Sequence, residues 1–73
     1  MISDPQVAHT VSALMLEIGA KLDASVAEVQ AACPESEFVN YRRAVGSVMG
    51  TMLLDIMNPL YALHADLKPS QLR

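Results

Sequence analysis

The apolar residues Val7, Val11, Leu14, Ile18, Leu22, Val26, Val29 and Cys33 recur at steps of three or four, which keeps one face of an α-helix apolar for about seven turns. A second stripe at Phe38, Tyr41, Val45, Val48, Met49, Met52 and Ile56 follows a break at Cys33-Pro34. Two such stripes with a short break between them predict an all-α chain. A short connection makes consecutive helices antiparallel neighbours, so the expected fold is an antiparallel helical hairpin.

Local signals set the expected boundaries within a single helical domain spanning 1–73. Asp4 suits an N-cap and Pro5 the first helical position, so helix 1 is predicted over about 5–32, roughly 42 Å at about 1.5 Å per residue. Glu17 and Lys21 stand at i, i+4 in the favourable order. Pro34 cannot continue a helix, so the chain turns there. Ser36 is the expected cap of helix 2, with Glu35 and Glu37 at its positive end and a span of about 37–57. Asn58-Pro59 is expected to stop or kink that helix, with Asn58 capping and Pro59 opening a short helix 3 over about 59–65. Residues 68–73 show no periodicity and read as a frayed tail.

Size argues for association. A chain of 73 residues buries only about 60% of its unfolded surface and is marginally stable alone. Cys33 is the only cysteine, which removes disulfides as a source of extra stability, and no Cys/His cluster offers a structural metal site. Oligomerisation is the remaining route. The net charge of −3, with no basic run longer than Arg42-Arg43, argues against nucleic acid, whose binding needs clustered cations. The start Met1-Ile2-Ser3-Asp4-Pro5 lacks the basic residues of a secretory signal, so a cytoplasmic location is expected. The uncharged runs Pro5–Leu16 and Ala44–Leu54 fall well short of the roughly 20 residues of a membrane span.

Projection of helix 2 at 100° per residue puts its main stripe on one arc and Val39, Gly46, Gly50, Leu54 and Met57 beside it, more apolar surface than one neighbouring helix covers. This predicts two hairpins pairing as a dimeric four-helix bundle. Gly46 and Gly50 cost about 1 kcal/mol each inside a helix. Close approach of another helix, relief of crowding within the hairpin, or simple exposure are the three readings of that pair. On helix 1, Ala13, Ala20, Ala24, Ala27 and Ala31 with Leu16 form a similar small-residue side, which high helix propensity on an exposed face also explains. The expected interface residues are Tyr41, Gly46, Met49, Gly50, Leu54 and Met57.

The residues offer little chemistry. His9 and His64 have no ligand partner at i+3 or i+4, and Cys33 has no neighbouring base, so Cys33 is expected to be a small buried apolar residue. The methionines lie on the apolar stripes and read as packing groups. Arg42 is expected to lay its stem on the core and pair with Glu37 or Glu35. No catalytic residue, cofactor or metal is expected. The sequence therefore points to a small non-enzymatic homodimer acting by association with itself, with room for a further protein partner. The alternative is a small-anion or metabolite-binding, or catalytic, helical bundle, with a pocket near Arg43 and Tyr61 at the bundle end to which Arg42 and His64 contribute from two subunits.

Overall fold

The computed structural model describes residues 1–69, and they form an all-α hairpin. The first arm, α1, spans Pro5–Ala32. Its start is built as the sequence implies: the Asp4 carboxylate accepts hydrogen bonds from the backbone N–H groups of Gln6 at 2.9 Å and Val7 at 3.1 Å, and Pro5 fills the first helical position. Cys33, at φ −123° and ψ 161°, takes the extended backbone that a residue before proline prefers.

The second arm opens two residues earlier than expected. Helix α2 spans Glu35–Thr51 and its N-cap is Pro34, not Ser36. Proline already holds a helical φ (−58° here), so only its ψ of 151° needs to be extended for the chain to re-enter a helix at once. The Pro34 carbonyl accepts the N–H groups of Glu37 and Phe38, both at 3.1 Å. Glu35 and Glu37 stand in this first turn, where negative charge is favoured by the unpaired N–H groups.

The Asn58-Pro59 pair neither stops the helix nor caps a new one. Residues Met52–Met57 form a π-helical segment, and α3, spanning Asn58–Leu63, continues directly from it. Thr51, Met52, Met57 and Asn58 all keep right-handed helical dihedrals, so Asn58 is an interior residue. In an α-helix the Pro59 ring would clash with the carbonyl of Asp55. The wider turn, in which the Asn58 N–H reaches back to the Leu53 carbonyl, relieves that conflict with one extra residue. Helix α3 ends at Leu63, short of the expected 65, because His64 leaves the helical region at φ −131° and ψ 66°. A 3₁₀ turn at Ala65–Leu67 follows. Of the expected frayed tail, Lys68 and Pro69 have no regular structure, and 70–73 lie outside the described residues.

The π segment also decides what the end of the hairpin buries. One extra residue turns everything after it by about 100° relative to a continuous α-helix. A straight projection places Met57 and Tyr61 off the main stripe, whereas the structure buries both, together with Leu60, against Ala8 of α1. Ile2, Val11, Met15 and Leu67 pack around this cluster. His64 fastens the same end, its Nε2 lying 2.8 Å from the Ile2 carbonyl. Leu60 is the largest fully buried side chain and Leu63 is exposed. Leu60→Ala is therefore expected to cost about 2–5 kcal/mol and Leu63→Ala less than about 0.5 kcal/mol, measured by urea unfolding at one fixed protein concentration.

Candidate association surface

Two serine–tyrosine hydrogen bonds clip the arms together near their ends. At the α3 end, Ser12 Oγ and Tyr61 Oη lie 2.7 Å apart, both residues buried. At the loop end, Ser25 Oγ lies 2.7 Å from Tyr41 Oη. Ser25 donates its own proton to the Leu22 carbonyl at 2.7 Å, so the Tyr41 hydroxyl is the donor of that pair. Neither bond was expected from the apolar periodicity. The signal available was a serine standing on or beside the apolar face of helix 1 with a tyrosine on the facing arm, where a buried phenol needs a partner.

Between the clips the arms part on one side. An open groove of about 440 Å³ runs there, lined from α1 by Met15, Leu16, Gly19 and Ala20, and from the second arm chiefly by Met49, Gly50 and Leu53. Asp23 is the only charged residue in its wall among the described residues. Leu16 and Leu53, which line the groove, are exposed, as is Leu54 next to Leu53, at 65%. On a helical projection Val7, Leu14 and Val48, also exposed, fall on the opposite edges of the two arms.

The expected interface residues divide. Met57 is buried, at 7% exposure, in its own subunit, because the π segment turns it inward. Tyr41 is half-buried and bonded to Ser25. Met49 is half-buried, its Cε 3.8 Å from where a Cβ on Gly19 would stand. Gly46 and Leu54 are exposed and Gly50, half-buried, lines the groove, and a Cβ built on either glycine meets nothing within 4 Å. Crowding within the hairpin is thus not the reason for the glycine pair.

The remaining polar residues converge on no common point. The Arg42 guanidinium lies 5.2 Å from the Phe38 ring centroid, a cation–π contact in place of the expected pairing with Glu37 or Glu35. The one ion pair among the described residues is the expected Lys21–Glu17, at 3.1 Å. Arg43 and Tyr61 stand about 25 Å apart along one helical arm, and the Tyr61 hydroxyl is taken by Ser12. Cys33 is exposed, not buried, because it sits at the open end of the turn. Among the described residues no cluster of three or more His, Cys, Asp or Glu could hold a metal ion, and no helix is long and apolar enough to cross a membrane. Comparison with known proteins finds no matching family model, no similar curated protein and no similar solved structure.

The buried clip sets a measurable asymmetry. Tyr61→Phe leaves the buried Ser12 hydroxyl without its partner and is expected to cost about 1–3 kcal/mol. The same change at half-buried Tyr41 costs less, because water replaces the bond. The double variant Ser12→Ala/Tyr61→Phe should cost less than the sum of its single changes in a double-mutant cycle.

Proposed function

We propose that this protein functions by association: two copies pair through the groove side of the hairpin to form a four-helix bundle, and the burial of apolar helix surface is the mechanism. The observation that carries this reading is how little one copy hides. Hydrophobic residues make up 52% of the sequence, yet only Ala8, Ser12, Val45, Met57, Leu60 and Tyr61 are buried among the described residues. The exposed surface of 5110 Å² exceeds by about 700 Å² that of a compact monomer of 7.9 kDa. The radius of gyration of 14.4 Å compares with about 11 Å for a compact chain of this length. A long side of 44 by 19 Å offers about 800 Å², the share each partner contributes to a standard interface.

The open space over Gly46 and Gly50 fits this reading, since a second helix can come close where no Cβ stands. A pocket built on Arg43 and Tyr61 has less in its favour, given their separation and the satisfied Tyr61 hydroxyl. Association of this kind makes stability depend on concentration, so the unfolding temperature should rise with protein concentration.

In equilibrium sedimentation the wild type should be a dimer at micromolar concentration. Leu54→Glu, a change at an exposed position beside groove-lining Leu53, should give monomers. Leu14→Glu, on the opposite edge, should leave the dimer intact. A monomeric wild type overturns the proposal, as does a dimer broken by Leu14→Glu but not by Leu54→Glu.

A further inference from the structure

We infer that the two copies are related by a twofold axis running parallel to the helices, so that Asp23 of one copy faces Arg42 of the other. This rests on the homodimer reading above and adds its symmetry and its charge contact.

The groove side has two edges. The α1 edge carries Leu16, Ala20 and Asp23, all lining the groove. On the second arm Gly50 and Leu53 line the groove, and helical spacing places Gly46 and Arg42, four and eight residues before Gly50, on the same edge. The level of each residue along the hairpin follows from contacts already described. Ser25 meets Tyr41, which puts Asp23 at nearly the height of Arg42 and Arg43. Gly19 meets Met49, which puts Ala20 at the height between Gly46 and Gly50.

Face-to-face pairing of two hairpins admits two closed symmetries. With the twofold axis along the helices, height is preserved and each α1 packs against the second arm of the other copy. Asp23 then meets Arg42, an exposed cation that pairs with no carboxylate among the described residues. Ala20 meets the row of Gly46 and Gly50, where no Cβ obstructs approach, and Leu16 meets Leu53. With the axis across the helices, height is inverted and like arms face each other. Asp23 then comes toward Leu16 of the other copy and Arg42 toward Leu53, so both charges face apolar side chains. Charge complementarity favours the first arrangement, because a like-charge or unpaired contact in an interface works against association.

Charge reversal tests the pairing. Asp23→Arg and Arg42→Glu should each raise the dimer dissociation constant about tenfold or more, and the double variant Asp23→Arg/Arg42→Glu should recover most of that loss. Cross-linking gives an independent readout in a Cys33→Ser background. Ala20→Cys and Gly46→Cys chains, mixed and oxidised, should form a disulfide between unlike chains, while Ala20→Cys alone should not link to itself. Self-linking of Ala20→Cys, or a double variant no better than its parents while the wild type remains dimeric, overturns the parallel axis and leaves the homodimer standing. A wild type that sediments as a monomer removes the homodimer itself.

Discussion

A proline within a helical arm must be accommodated somewhere, and the rest of this structure follows from how that is done. Pro59 brings no N–H and a ring that collides with the carbonyl one turn back. The chain answers with the π segment Met52–Met57, which keeps the helix continuous and shifts its phase by one residue. That shift turns Met57 and Tyr61 inward to join Leu60 on Ala8 and brings the Tyr61 hydroxyl to Ser12. A break at Asn58 would have uncoupled Met57 from Leu60 and Tyr61, which share α3.

The same economy leaves the middle of the hairpin open. Burial is concentrated at the α3 end, where Ile2, Val11, Met15 and Leu67 surround the cluster, and the loop end is held by the Ser25–Tyr41 bond. Between them, small residues at Gly19, Ala20 and Gly50 and flexible methionines line the groove. Methionine fills irregular space at low strain and adapts to what packs on it. A surface so built suits an apolar helix face better than a polar ligand, because among the described residues Asp23 alone brings charge to its wall.

Marginal stability connects these features to function. Small domains leave much of their apolar surface in water, and a partner that covers it adds burial without lengthening the chain. In the proposed bundle folding and association are one linked equilibrium, and the exposed leucines of the groove side serve both. The glycines at Gly46 and Gly50 fit the same logic, since they lower helix propensity where no contact within the subunit requires them.

The sequence by itself determined the two arms, the Asp4 cap, the turn at Pro34 and the poverty of chemical groups, because these depend on local backbone preference and on period-3.6 spacing. It also singled out Gly46, Gly50 and Leu54 as surface in search of a use. Tertiary structure alone decided the inward turn of Met57, the two serine–tyrosine clips, the exposure of Cys33 and the placement of Arg42 over Phe38. A projection at a fixed 100° per residue carries no trace of a π turn, so Met57 was assigned to the outer edge although it is buried. Hydrogen bonds such as Ser12 to Tyr61 join residues far apart in the chain, and only the register in which the arms pack brings them within reach.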